Sequence, residues 1–226
     1  MNGLSEEESF HASRVLRLKT GDPIYILDGK GAKYAAVLDK VESKNTTFSQ
    51  LSLVEKQDKI PYQIHIYVAP TKQMERMEWM VEKCCEFGIH GIHFFTSRNS
   101  ERKEIKLNRL EKIAISALKQ SKNLFLPEIT AIVPLKSYIG SLIETPATQR
   151  LFAHISDPPV KILAKQLIPN QSYHILIGPE GDFSLEETKE LLDTNWTPFS
   201  LGKSILRTET ACIAATLGVH IAHEHA

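Results

Sequence analysis

The sequence predicts an α/β protein in two parts, a small β-rich domain over residues 1–60 and a larger domain of alternating strands and helices over 61–226. Three observations carry this reading. Short apolar stretches separated by Asp/Gly turns fill the first sixty residues. Beyond them the rhythm changes to apolar strand followed by amphipathic helix, the pattern of a mostly parallel sheet. Near the C-terminus two glycine-marked segments, 177–184 and 201–210, each follow a short apolar run and precede a helical pattern. Two such loops would lie side by side at one edge of the sheet, where open α/β folds place their ligands.

The elements follow in order. Val15-Leu16-Arg17-Leu18 is expected to be a strand leading to a turn at 19–22. Strands at 23–27 and 34–38 flank the turn Asp28-Gly29-Lys30-Gly31, and 51–54 closes a small barrel or meander. The stretch 56–61 is the linker. In the second part, 64–68 is a strand. Thr71 can cap a helix that places Met74, Met77, Val81 and Cys84 on one face and stops at Gly88. A strand at 89–95 precedes a helix marked by Leu107, Leu110, Ile113, Ala114, Ala117 and Leu118. Further strands are expected at 129–133, 150–155, 173–177 and 197–201. Ser184-Leu185-Glu186-Glu187 is a capping-box pattern opening a helix, and a final helix starts near Glu209.

Composition narrows the class. At 42% hydrophobic and 24% charged residues this is an ordinary soluble globule with ample core. No apolar run reaches membrane-spanning length and no signal peptide opens the chain. The three cysteines are odd in number, and Cys84 and Cys85 are adjacent. That argues against a disulfide framework and for a reducing cytoplasm. Net charge is zero, yet residues 98–122 hold eight Lys/Arg against three Glu, so the chain is neutral by compensation between regions. Such a stretch is either a solvated helix face or a nucleic-acid contact.

Several motifs are excluded. Gly202-Lys203-Ser204 lacks the glycine a phosphate-binding loop needs five positions upstream, where Thr197 stands, and no GxGxxG is present. No CxxC pair exists. His220, His223 and His225 lie at a chain end that is expected to fray, so no metal is expected there. Met74, Met77 and Met80 read as packing, and Cys212 as a small buried residue. Ala211, Ala214, Ala215 and Gly218 would let a backbone come close to a ligand or another helix. The two glycine segments are either tight turns or a site, and the site reading is favoured by Arg207 and Glu209 around a Thr.

Those two segments, Ile-Gly-Pro-Glu-Gly-Asp-Phe-Ser and Leu-Gly-Lys-Ser-Ile-Leu-Arg-Thr-Glu-Thr-Ala, resemble those of the RsmE-type 16S rRNA uridine-N3 methyltransferases of the SPOUT superfamily. So do His11…Val15-Leu16-Arg17-Leu18…Gly21-Asp22, Lys83…Phe87-Gly88-Ile89, Ser100-Glu101-Arg102, and Ala117…Gln120-Ser121 with Pro127. The match runs through nearly the whole chain in order. Two departures stand out: Asp182 where the family usually has Gly, and Asn123 where it has Arg. The first strand of the small domain is expected to be short or absent.

The resemblance implies a small N-terminal PUA-like RNA-binding β-barrel and a C-terminal SPOUT α/β domain with a trefoil knot. It implies S-adenosylmethionine as methyl donor, small-subunit ribosomal RNA as partner, a homodimer with its active sites near the subunit interface, and a cytoplasmic location. Donor contacts fall on Ala153, His154, Leu176, Gly178, Pro179, Gly181, Leu201, Gly202, Ile205, Leu206 and Thr210. RNA contacts fall on His11, Arg14, Arg17, Arg98, Arg102, Lys106, Arg109 and Gln120. Uridine N3 becomes nucleophilic once its proton leaves. Arg207 can stabilise the resulting charge, and Glu209 or Glu180 can take the proton. Glu209 also reads as a helix N-terminal charge favoured by the dipole. A SPOUT enzyme acting on another target such as a ribose 2′-OH, or a PUA-type RNA binder without catalysis, are the alternatives.

Overall fold

The computed structural model describes residues 2–141, 148–156 and 158–224. The chain divides into two compact units, Met1–Lys59 and Ile60–Ala226.

In the first unit, β1 (Asn2–Gly3), β2 (Pro23–Leu27), β3 (Ala32–Lys40) and β4 (Thr47–Lys56) form an antiparallel sheet in the order β1-β4-β3-β2. A short helix, α1 (Glu6–Phe10), is capped by Ser5, whose hydroxyl accepts from Glu8 N at 3.2 Å. The core is small: Ala36, Leu38 and Phe48, with Leu4, Leu18, Ile24 and Ile26 packed on them. The strand expected at 15–18 does not form. The chain runs from α1 into a π-helical turn over His11–Val15, and Leu16 N donates to His11 O at 2.9 Å. Arg17 then takes a left-handed φ of 55°, which breaks any extended run. Val15 and Leu16 stay exposed and Leu18 turns inward, so the apolar stretch is a helix end followed by a core anchor.

The second unit is a six-stranded sheet in the order β10-β8-β9-β5-β6-β7, with every pairing parallel. Its strands are β5 (Ile64–Val68), β6 (Gly91–Thr96), β7 (Glu128–Pro134), β8 (Thr148–Ala153), β9 (Ser172–Ile177) and β10 (Thr197–Phe199). Alternation along each strand divides the core between the two faces. Ile64, Ile66, Val68, Ile92, Phe94, Ile175 and Ile177 pack with α2 (Met74–Glu86), α3 (Leu107–Ser121) and α6 (Thr208–Glu224). Tyr67, Phe95, Phe152 and Leu176 pack with α4 (Leu135–Ser141) and α5 (Leu185–Asp193). Gly88, at φ 81°, ends α2 as expected, because a left-handed residue closes the helix without a Cβ penalty. The Ser184/Glu187 capping box is complete on both sides.

Thr71 does not cap α2. The N-cap is Gln73, and the Thr71 hydroxyl donates to Gln73 O at 3.1 Å. The Arg102 guanidinium holds the Thr71 and Lys72 carbonyls, which fixes the loop ahead of the helix.

Histidines occupy the α4/α5 face at the N-terminal half of the strands. His65 Nδ1 and His93 Nε2 are 3.0 Å apart, His93 Nδ1 meets Thr130 Oγ1 at 3.2 Å, and Tyr67 OH meets His174 Nδ1 at 2.6 Å. Gly91 makes the room: a Cβ there would run into His65 Nδ1 and His93 Nε2.

Among the described residues no helix is long and apolar enough to cross a membrane, and no group of three His, Cys, Asp or Glu could hold a metal. His220 and His223 instead contact tyrosines: Tyr62 OH lies 2.8 Å from His220 Nδ1, and Tyr173 OH lies 3.1 Å from His223 Nε2. His225 lies outside the described residues.

Candidate functional site at the C-terminal ends of β8, β9 and β10

The two glycine loops leave the C-terminal ends of β9 and β10. They are not adjacent along the sheet edge, because β8 lies between those strands. The end of β8 therefore forms the floor between them, with His154 N donating to Phe199 O at 3.0 Å. The loops meet above it. Thr208, the first residue of α6, donates from its hydroxyl to Gly178 O at 3.2 Å.

The loop after β9 is braced from within and from outside. Asp182 takes φ 58°, a left-handed conformation that Gly adopts without cost and Asp tolerates through a local hydrogen bond. Its Oδ1 accepts from Phe183 N at 2.7 Å. Asp therefore holds a conformation that Gly would adopt without cost. Phe183 is buried under the loop, and a Cβ on Gly178 would meet its ring at 3.2 Å. From the loop after β6, Asn99 Nδ2 donates to Gly181 O at 3.1 Å and to Asp182 O at 3.0 Å. Arg98 N donates to Glu187 Oε1 at 2.8 Å, and the Arg98 guanidinium pairs with Glu186 at 2.9 Å.

The loop after β10 is more open. Gly202 has φ 123° with nothing within 4 Å of where a Cβ would sit. Ile205 is 80% exposed, while Leu201 and Leu206 are half-buried against the core. Arg207 is exposed and makes no ion pair among the described residues. Glu209, in the first turn of α6, is 5% exposed and lies 3.7 Å from Arg76 Nε. Its Oε2 is buried with no hydrogen-bond partner. His154 Nδ1 is likewise buried without a hydrogen bond, 3.8 Å from Asp182 Oδ2.

The residues singled out for the donor thus divide. Gly178, Pro179, Gly181, Ala153, His154, Leu201, Gly202, Ile205, Leu206 and Thr210 all lie on the three strand ends, the two loops or the start of α6. Leu176 sits within β9, fully buried in the α4/α5 core, so only its backbone faces a neighbour strand. Of the two carboxylates, Glu180 is exposed at a loop tip and Glu209 is enclosed. Only the second stands where water is excluded.

The residues singled out for RNA are spread over both units. In the first, His11, Arg14 and Arg17 are exposed, and Arg14 lines a groove with Ser13, Leu18, Val41 and Lys44. In the second, Lys106 and Gln120 are exposed. Arg102 and Arg109 have partners in the chain. Arg102 clamps the loop before α2, and Arg109 is bidentate with Glu78, at 2.6 and 2.7 Å. Asn123 caps the end of α2, donating to Cys85 O at 3.0 Å and Glu86 O at 3.1 Å. Ala211 and Ala215 are buried against α2 within this chain, so part of the small-residue stripe serves close helix packing here.

Two participants were not legible in the sequence. Arg76 lies in a helical stretch of mixed charge, and Asn99 in a polar loop, with nothing in spacing to link either to the glycine loops. The histidine face did leave a signal: His65-x-Tyr67, His93-x-Phe95 and His174-x-Leu176 each share one face of a strand.

Comparison with known proteins places this arrangement. Residues 58–219 match the model of the RNA methyltransferase domain, and residues 4–48 that of the RNA methyltransferase PUA domain. The ribosomal RNA small subunit methyltransferase E of Buchnera aphidicola subsp. Acyrthosiphon pisum is 28% identical over 94% of this chain and 84% of its own. A probable rRNA methyltransferase from Porphyromonas gingivalis superposes with a TM-score of 0.88 at 39% identity, covering 99% of this chain and 94% of that one. The ribosomal RNA small subunit methyltransferase E of Neisseria gonorrhoeae, bound to S-adenosyl methionine, superposes with a TM-score of 0.81 at 25% identity, covering 99% and 94%.

Proposed function

The chain belongs to the RNA methyltransferase family, with a PUA domain ahead of a SPOUT-like α/β domain, and from that premise we propose that it methylates N3 of a uridine in small-subunit ribosomal RNA, using S-adenosylmethionine. The observation that carries the reading is the joined pair of loops, clipped by the Thr208–Gly178 hydrogen bond above a buried carboxylate.

The residues fit the donor. The loops after β9 and β10 offer backbone groups, and Gly202 leaves open space beside its Cα. One buried polar atom, His154 Nδ1, has no hydrogen-bond partner among the described residues and is open to one from the donor. Gly178, Pro179, Gly181, Leu201, Ile205, Leu206 and Thr210 would hold the donor, with Ala153, His154 and the Leu176 backbone completing the floor. When bound, S-adenosylmethionine supplies an activated methyl group.

The chain's own work is then electrostatic and acid–base. Removing the N3 proton leaves negative charge over O2, N3 and O4 of the uracil. Arg207, charged at any working pH, aims its guanidinium at that charge. Glu209 takes the proton, since it is the enclosed carboxylate of the two. The exposed cations Arg14, Arg17 and Lys106 supply phosphate contacts. The protein is assigned to the cytoplasm as a homodimer, with the chain knotted at the donor site.

The test is transfer of tritiated methyl from S-adenosylmethionine to small subunits prepared from a strain lacking this protein, followed by nucleoside mass spectrometry. Label at uridine N3 is expected. Label on a ribose 2′-OH would replace the target, and RNA binding without transfer would make the chain a binder.

A further inference from the structure

The two carboxylate oxygens of Glu209 have different surroundings. Oε1 faces Arg76 Nε at 3.7 Å, while Oε2 is buried with no hydrogen-bond partner. A separation of 3.7 Å is too long for a hydrogen bond, so the contact is between charges. The Glu209 end is enclosed, its side chain 7% exposed, while that of Arg76 is 30% exposed. The two residues come from opposite ends of the sequence. Arg76 belongs to the first turn of α2 and Glu209 to the first turn of α6, and the helices pack on the same sheet face through Met77, Met80, Ala211 and Cys212. The position of α2's first turn is itself set, because Arg102 clamps the Thr71 and Lys72 carbonyls just ahead of it.

Resting on the function proposed above, we propose that Arg76 is a positioning residue. Its guanidinium draws Oε1 of Glu209 to one side of an enclosed site. Oε2 is thereby left presented to the proton that must leave the substrate. Arg76 touches neither the donor nor the RNA in this role and acts only through Glu209. A carboxylate free to rotate would spend its unpaired oxygen elsewhere, and a reacting group misplaced by about 1 Å costs about 10²-fold in rate.

The experiment measures methyl transfer to small subunits by the full chain and its variants Arg76→Met, Arg76→Lys, Glu209→Gln and the double variant Arg76→Met/Glu209→Gln. Affinity for S-adenosylhomocysteine is read in parallel by calorimetry. Arg76→Met should lower kcat about 10²-fold with S-adenosylhomocysteine affinity within about twofold. Arg76→Lys should recover part of the loss, since it keeps the charge and loses the planar fork. The double variant should be no slower than Glu209→Gln alone, because a residue acting only through another adds nothing once that one is gone. Should Arg76→Met fail to fold with its buried carboxylate unpaired, Arg76→Lys and the double variant decide the matter, since neither leaves that charge alone. Losses that multiply in the double variant, an Arg76→Met rate within about threefold of the parent, or a loss confined to S-adenosylhomocysteine binding would each overturn the role. A parent chain that binds S-adenosylhomocysteine and transfers no methyl group refutes the functional reading, and this role with it. A parent that turns over while its Arg76 variants match it refutes only the role.

Discussion

Lowering the pH from 7.5 to 5 should cost the second unit a large part of its stability, and the histidine face is the reason. His65, His93 and His174 are held neutral by burial, which brings His65 and His93 down to about 4 and His174 to about 3. Neighbouring rings add to the depression at His65 and His174, and Arg150 adds to it at His174. Glu128 opposes it at His65. Unfolded, the same rings take up a proton near pH 6.5. Between those values the unfolded chain binds more protons than the folded one, so stability falls as the pH falls. It is full above pH 6.5 and erodes down to about 4 for His65 and His93 and about 3 for His174. A ring displaced from 6.5 to about 4 loses about 2 kcal/mol at pH 5, so three rings lose about 6 kcal/mol. That is a large part of the roughly 5–15 kcal/mol that holds an ordinary domain folded. In melting temperature it amounts to about 10–25 °C. The depressed carboxyls of Asp28 and Glu186 do not interfere, because carboxylate contributions are lost only near pH 4 and below. Urea titrations at pH 7.5 and 5 measure the loss, and ring-proton titrations by NMR locate the midpoints. A change below about 1 kcal/mol, or ring midpoints near 6.5 in the folded chain, would refute the reasoning.

Other predictions bear on the site. Arg207→Ala should cut turnover about 10²–10³-fold with near-normal donor affinity, read by steady-state kinetics and calorimetry; lost donor binding with turnover kept at saturating donor would move Arg207 to the donor pocket. Gly202→Val should lower donor affinity about 5- to 150-fold, because the loop must shift to relieve a β-branched residue at φ 123°, a strain of about 1–3 kcal/mol even where space is open. Unchanged affinity in the folded variant would remove the loop from the donor site. Lys106→Ala should reduce the salt slope of RNA binding by about 1, since this cation is exposed, whereas Arg109→Ala should leave the slope nearly unchanged because Glu78 already holds that guanidinium. Equal effects of the two would contradict the assignment.

Much of the architecture was open to reading from the chain itself. Strand alternation, helical spacing, Gly88 and the Ser184/Glu187 box are local signals, and each acts through residues a few positions apart. The glycine loops were visible for the same reason: a short apolar run, Gly, and a capping residue sit together in sequence. The stretch Val15-Leu16-Arg17-Leu18 misled because its apolar run resembles a strand, and the left-handed turn at Arg17 leaves no mark in composition. Thr71 misled in the same way, since Arg102, thirty-one positions later, takes over the carbonyls around it.

What sequence alone determined, then, is the inventory: which segments alternate, where the loops lie, and which residue types gather there. What only the tertiary structure decided is which of those residues meet. The order β10-β8-β9 inserts the end of β8 between two loops that follow one another in sequence. The packing of α2 on α6 brings Arg76 to Glu209 across 133 positions and so separates an enclosed carboxylate from the exposed Glu180. Other long-range contacts hold Arg98, Arg102 and Arg109, whereas Arg14, Arg17 and Lys106 are exposed. Such pairings arise from burial and long-range register, which no spacing along the chain encodes.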